Sequence, residues 1–282
     1  MKDERELDVI WMPTFRCNLN CTYCAARRLP QVTHGFWDKH RSKFGEELRD
    51  GRTEELPPDE WIRIFSECPY PIRQVAITGG EPSVYRSLPK VLAATEWDFT
   101  IDSNLRLHPR TWLKPDWYDR CKVVNAGLQF DPAHEEVKGY WKHLEWLRDE
   151  LPEASIVCTC VVLWRDLENR WDLAKKMAAD IGVDFLALTF DDSFLFNEVE
   201  PLFPGPGSRE WCDAGYKGGV ILPDTAMYRC IGHTNYTVDL LGHLDTEGWG
   251  ILLDTPEACD TLICTICDQW HKCSQTKESQ HG

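Results

Sequence analysis

The sequence predicts an α/β protein: an open or partial (β/α)6 barrel, followed by a small second domain. Three observations carry that reading. From Asp8 to about Phe190, short apolar runs alternate with longer helical patterns. Three closely spaced cysteines, Cys17, Cys21 and Cys24, directly follow the first apolar run, and two glycines close the second. Pro201–Ser208 then interrupts the alternation with prolines and glycines that prevent regular structure, so the domain boundary falls there.

The strand candidates, in order, are Asp8–Pro13, Arg73–Thr78, Asp98–Asp102, Lys122–Phe130, Ser155–Leu163 and Phe185–Phe190. Several are rich in valine and isoleucine, as buried parallel strands are. Helices lie between them. Pro57-Pro58-Asp59 opens one, and Trp61, Ile62, Ile64 and Phe65 follow it. Val137, Trp141, Leu144 and Leu147 recur at helical spacing in a second. Leu167, Trp171, Ala174, Met177, Ala178 and Ile181 do so in a third, which Gly182 closes as a C′ glycine. Six β-α units of this kind argue for a parallel sheet that is an open or partial barrel. Residues 8–200 make up this barrel and 208–274 the small domain, while the apolar-poor tail 275–282 is expected to be disordered. Residues 25–56 are too long and polar for an ordinary βα loop, and with Phe36 and Trp37 they read as a lid or as a solvated decoration.

Composition narrows the function. The chain has 282 residues, 43% hydrophobic and 27% charged, which suits a globular protein with a real core. It has no apolar run near the roughly 18 residues of a membrane span. Its first six residues are too polar for a signal peptide, so a cytoplasmic location is expected. Thirteen cysteines in such a chain point to metal or redox chemistry rather than disulfides. The net charge is −15 and the nearest approach to a basic cluster is Arg27-Arg28, so neither nucleic acid nor a membrane is an expected partner. An acidic surface would favour a cationic substrate or a basic partner protein.

The cysteines at 17, 21 and 24 form a C-x3-C-x2-C run. Three thiolates on one tight loop hold three irons of a cubane cluster and leave the fourth iron without a protein ligand. Zinc or buried thiols is the competing reading, but zinc sites add a fourth ligand nearby and none follows here. The run, with the aromatic Tyr23 before the third cysteine, resembles the signature of radical S-adenosylmethionine (SAM) enzymes. That resemblance implies a partial TIM-like barrel, and a 4Fe–4S cluster whose open iron is chelated by SAM. It implies that the reduced cluster cleaves SAM to methionine and a 5′-deoxyadenosyl radical, which abstracts hydrogen from substrate. A flavodoxin- or ferredoxin-type protein would donate the electron.

Gly79-Gly80-Glu81-Pro82 ends the second strand, where glycines permit close backbone approaches. The resemblance makes it the GGE motif that contacts the SAM amine. Because the thiolates lie on another loop, a side chain at Gly80 is expected to weaken SAM binding and spare the cluster. Ser103 and Asn104 end the third strand, and Gln129 ends the fourth. The resemblance gives these a place beside the SAM carboxylate, ribose or substrate; read from residues alone they are equally polar strand ends. Cys68, Cys121, Cys158 and Cys160 read as small core residues.

Cys212, Cys230, Cys264, Cys267 and Cys273 form a second set, the last three as C-x2-C-x5-C. The set resembles the SPASM/twitch extension of radical SAM enzymes, a β-hairpin and short helix that bind auxiliary 4Fe–4S clusters. Thr225 stands where that pattern has glycine. The resemblance implies one auxiliary cluster on Cys212, Cys230 and two or three of Cys264, Cys267 and Cys273, with Cys259 spare. Zinc on the same thiolates is the alternative, since zinc ribbons share C-x2-C.

Enzymes of this architecture mostly oxidise, crosslink or epimerise ribosomally made peptides, and a smaller group acts on small molecules such as aminoglycosides. Family frequency puts a peptide substrate slightly ahead. A signature beginning at residue 17, leaving no room for a leader-recognition domain before it, leans the other way, as does the acidic surface. Thirteen tryptophans would suit a groove for peptide or sugar. An iron–sulfur redox sensor or electron carrier is the non-enzyme alternative.

Overall fold

The structure, a computed structural model, describes residues 5–19, 55–128, 138–163, 170–190, 209–212, 217–223, 225–229, 240–253 and 257–259. Six strands build a parallel sheet: β1 (Leu7–Trp11), β2 (Ile72–Ile77), β3 (Asp98–Ser103), β4 (Cys121–Leu128), β5 (Ser155–Leu163) and β6 (Asp184–Phe190). They lie side by side in chain order, each parallel to the next. Sequential order is the progression of a barrel wall, whereas a doubly wound sheet reverses direction part-way.

Each expected strand lies within two residues of its sequence-based bounds. The helices α1 (Pro58–Ser66), α2 (Leu88–Ala93), α3 (Lys138–Glu150) and α4 (Arg170–Ile181) return the chain between strands. In α1, Trp61, Ile64 and Phe65 are buried, one stripe at i, i+3 and i+4. Gly182 closes α4 in the left-handed region (φ 79°). Its N–H bonds Ala179 O at 3.0 Å and Val183 N bonds Ala178 O at 3.0 Å, the paired bonds of a Schellman cap.

One crossover departs from six uniform β-α units. Between β3 and β4 the chain makes two 3₁₀ turns, Pro109–Thr111 and Pro115–Arg120, and no α-helix. The prolines at 109 and 115 each lack the N–H that a continuing helix would need.

Alternation along the strands divides the packing. Leu7, Val9 and Trp11 of β1, Val75 and Ile77 of β2, and Phe99 and Ile101 of β3 join the main core with Trp61, Ile64, Phe65 and Leu88 from the helices. Trp11 is its hub: its ring meets Trp61 and Phe65 edge-on with centroids 5.4 Å away, and Tyr85 at 6.3 Å. Such edge-to-face pairs add about 0.5–1.5 kcal/mol each beyond burial. The Trp11 and Trp61 indole N–H groups have no hydrogen-bond partner among the described residues. The opposite face of β2–β4 is only half-buried and carries Ala76, Thr100, Asp102 and Asn125.

The sheet continues beyond β1. Strands β8 (Val220–Ile221), β9 (Ala226–Tyr228) and β10 (Leu240–His243) follow the short β7 (Arg209–Cys212), which pairs separately with β11 (Glu257–Cys259). β8 runs parallel to β1, with Ile10 opposite Val220, and β9 and β10 follow antiparallel. Ile10, Phe15, Val220, Leu222, Ala226 and Tyr228 form a second apolar cluster there. Trp249 donates to Ile64 O at 2.7 Å and Arg5 to Leu253 O at 2.9 Å, fixing residues 248–253 to the barrel. Three of the strands that follow the Pro/Gly linker, β8 to β10, thus share a sheet with the six that precede it.

Candidate functional site

The chain leaves β1 at Trp11 and runs across the carboxyl end of the sheet to Cys17. Three backbone bonds bind this segment to the end of β2: Thr78 N to Trp11 O (3.0 Å), Gly80 N to Thr14 O (2.9 Å) and Glu81 N to Arg16 O (2.7 Å). That proximity explains both glycines. A Cβ at Gly79 (φ 116°) would lie 2.6 Å from Thr14 O. At Gly80 it would lie 2.6 Å from the carbonyl carbon of Phe15, and closer still to Arg16 O. A real Cβ does not occupy such space, so a side chain at Gly80 would push on the cysteine loop itself. The expected separation of a Gly80 variant from the cluster is therefore corrected: the two loops share a backbone contact.

Glu81 ties the second strand end to the third. Its side chain is buried, and its carboxylate accepts from Ser83 N (3.1 Å), Ser103 Oγ (2.8 Å), Asn104 N (2.7 Å) and the Ser83 hydroxyl. Burial pushes the Glu81 pKa up, and the donors from Asn104, Ser83 and Ser103 oppose that rise. Pro82 and Ser83 begin a 3₁₀ turn that Glu81 caps. In this structure the Glu81 carboxylate therefore braces the mouth of the sheet, a role the sequence did not reveal because its partners lie 22 and 23 residues away.

Asn104 reaches the cysteine loop. Its Nδ2 donates to Asn18 Oδ1 at 2.7 Å and lies 3.8 Å from Cys17 Sγ. Leu19 N also points at that sulfur, from 3.4 Å. Two N–H donors around one half-buried sulfur favour a thiolate, the form that ligates iron. Thiolate character, soft-donor chemistry and the place at the carboxyl ends of parallel strands fit a cluster ligand at Cys17. Arg16 completes the frame, with Nε on Glu55 at 2.7 Å and a terminal nitrogen on Val84 O at 3.3 Å.

Leu105 follows with φ 51°, fully buried, although leucine rarely adopts that region. Such strain amounts to about 1–3 kcal/mol and persists only where surroundings hold it. On the half-buried face below, Asn125 donates to Asp102 at 2.7 Å, and Thr78 also hydrogen-bonds Asp102. Some Asp102 surface stays open, yet protein atoms crowd the carboxyl and burial pushes its pKa up.

Of the residues singled out in the sequence, Cys17, Gly79, Gly80, Glu81, Pro82, Ser103 and Asn104 lie together at one end of the sheet, and Asp102, Asn125 and Leu105, not singled out, lie beside them. Cys21, Tyr23, Cys24, Gln129, Cys230, Cys264, Cys267 and Cys273 lie outside the described residues. Cys212 lies on β7, opposite Glu257 of β11, and Cys259 of β11 is opposite Arg209. Thr225 takes φ 66°, the left-handed region that glycine favours, and its hydroxyl donates to Asp245 at 2.6 Å. Cys121, Cys158 and Cys160 are buried core residues whose thiols burial pushes up to about 12, about 11 and about 12.

Residues 11–118 match the model of the Radical SAM superfamily. A probable GTP 3′,8-cyclase of Methanococcus vannielii is 33% identical to this chain over 113 residues, which are 37% of the chain and 30% of that relative. The chain thus spans less than a third of the length of the curated relative it matches. The matched segment contains the cysteine loop, the Gly-Gly-Glu turn and the Ser103-Asn104 strand end, and a domain of this kind implies a 4Fe–4S cluster and SAM. Over residues 11–118 the chain is therefore similar to a radical SAM domain, and both similarities support a reading as an enzyme.

Proposed function

We propose that this enzyme cleaves SAM reductively and uses the resulting 5′-deoxyadenosyl radical to abstract hydrogen from a small, hydrogen-bonding substrate. The observation that carries the first half is the backbone union of the Cys17 loop with Gly79-Gly80-Glu81, braced by Asn104. Cys17, Cys21 and Cys24 would hold the cluster. Gly79, Gly80, Pro82, Ser103, Asn104 and Gln129 would surround SAM, with Tyr23 beside the third thiolate. When bound, the cluster supplies the electron that breaks a carbon–sulfur bond of SAM. The chain's own part is to fix the thiolates, hold SAM at the strand ends and present the C–H bond away from water.

For the substrate, the relative's name gives GTP, which favours a small molecule. The Asp102–Asn125 pair on the half-buried face, one residue below the Ser103–Asn104 mouth, supports a ligand with N–H or O–H donors. The peptide substrate that family frequency puts first, with oxidation, crosslinking or epimerisation as outcome, finds no support in that relative. We further propose one auxiliary 4Fe–4S cluster in a twitch-like region, on Cys212, Cys230 and two or three of Cys264, Cys267 and Cys273. The left-handed backbone of Thr225, where that pattern has glycine, supports it. A flavodoxin- or ferredoxin-type donor, in the cytoplasm, completes the proposal. Among the described residues no helix is long and apolar enough to cross a membrane.

The test is anaerobic reconstitution, reduction and incubation with SAM. Wild type should release 5′-deoxyadenosine, and the variant Cys17→Ala/Cys21→Ala/Cys24→Ala should release none and lose about four irons per chain. Retained cleavage in the triple variant would falsify the reading. Deuterated GTP and deuterated peptides, offered separately, identify the substrate class by label transfer into 5′-deoxyadenosine.

A further inference from the structure

We infer that His143 is a positioning residue for the cluster: it holds the left-handed Leu105 turn, and through that turn sets the Asn104 donor against the Cys17 sulfur. The inference rests on the radical SAM reading, because it needs Cys17 as a cluster ligand.

The turn has three anchors. Ser103 Oγ accepts from Leu105 N at 3.1 Å, and Asn104 Oδ1 accepts from Arg106 N at 3.0 Å. Both are local, contributed by the turn's own side chains. The third comes from α3: His143 Nδ1 lies 2.7 Å from Leu105 O. A carbonyl only accepts, so Nδ1 carries the proton. The His143 ring is itself held, 4.6 Å from the His108 ring by centroids, and His108 packs edge-on to Trp146 at 5.1 Å.

The consequence falls on Asn104. With Oδ1 engaged by the Arg106 N–H, the carboxamide can turn only its Nδ2 donors toward Asn18 and Cys17. An N–H donor to a cluster sulfur disperses negative charge and raises the cluster's reduction potential. Release of Leu105 O by loss of His143 lets the strained turn relax toward ordinary φ, which swings Asn104 off the sulfur. Neither His143 nor Leu105 touches the cluster loop in the contacts described above, so the effect on Cys17 passes through Asn104.

The experiment is an EPR-monitored reductive titration of the reconstituted holoenzyme without SAM, following the signal that added SAM perturbs. Asn104→Leu should shift its midpoint to more negative potential. His143→Ala should shift it in the same direction by a smaller amount, and the double variant should shift no further than Asn104→Leu alone. His143→Asn, whose Nδ2 stands where the imidazole Nδ1 was, should restore the wild-type potential; a merely structural histidine would not give that pattern. A wild-type potential in His143→Ala at wild-type iron content overturns the inference. So do shifts that add in the double variant. If Asn104→Leu holds no cluster, the His143→Ala and His143→Asn pair decides alone. A wild-type protein without any SAM-sensitive signal would instead overturn the functional reading.

Discussion

Among the described residues, two of the places that glycine suits best meet that need differently. At the mouth of the barrel, Gly79 and Gly80 have the glycine, because Thr14, Phe15 and Arg16 occupy the space a Cβ would take. In the β8–β9 turn, Thr225 takes φ 66° without being glycine, and Asp245 accepts its hydroxyl. The first is a constraint of space, imposed by a neighbouring segment. The second is a constraint of backbone conformation, offset by a side-chain partner. A steric constraint between two loops couples them; a local conformational constraint stays where it is.

Gly80→Val gives the largest effect. Overpacking normally costs about 1–3 kcal/mol, with the neighbour giving way. Here the neighbour is the backbone between Thr14 and Cys17, so the variant should lose the N-terminal cluster's iron as well as SAM binding. Absorption near the cluster band and iron analysis read this directly. A Gly80→Val protein with full cluster and impaired SAM binding would restore the idea of two independent loops.

The mouth also holds a carboxyl, Asp102, whose ionisation burial disfavours. Asp102 titrates higher in the fold than in the unfolded chain because of burial. A carboxyl with a raised folded pKa contributes its full stability below its unfolded value, about pH 4, and loses it as pH rises through the folded value. Asp102→Asn keeps an acceptor for Asn125 and cannot ionise. Its melting temperature should match wild type below about pH 4, exceed it progressively as pH rises from there toward the raised pKa, and keep a constant lead above it. A difference between the two proteins that is constant with pH would show that Asp102 is not the group whose ionisation is disfavoured.

The sequence disclosed these regions unequally, for physical reasons. The six parallel strands were legible because each is a run of at least five residues with apolar content on a buried face. β8 and β9 have two and three residues, too few for any period, so their addition to the edge of β1 was not legible. The glycine pair stood out as a motif, but its partner segment could be named only once the loops were seen together. The Leu105 turn gave no sign at all, since leucine is no turn former and its anchors include His143, 38 residues on. Thr225 was marked only by the glycine expected in its place.

That residue gives the smallest and sharpest test. Threonine in the left-handed region is strained by about 1–2 kcal/mol relative to an ordinary conformation, and glycine is not. The Thr225 hydroxyl recovers about 1.5 kcal/mol or more by donating to the Asp245 carboxylate. Thr225→Ala discards the hydrogen bond and keeps the strain, so it should destabilise by about 1–2 kcal/mol. Thr225→Gly discards both, so it should be more stable than the alanine variant by about 1 kcal/mol and lie close to wild type. Urea titration of the three proteins measures the order. If glycine is worse than alanine at this position, conformation is not what the turn demands, and the β8–β9 hairpin is held by its packing on Ile10 and Phe15 alone.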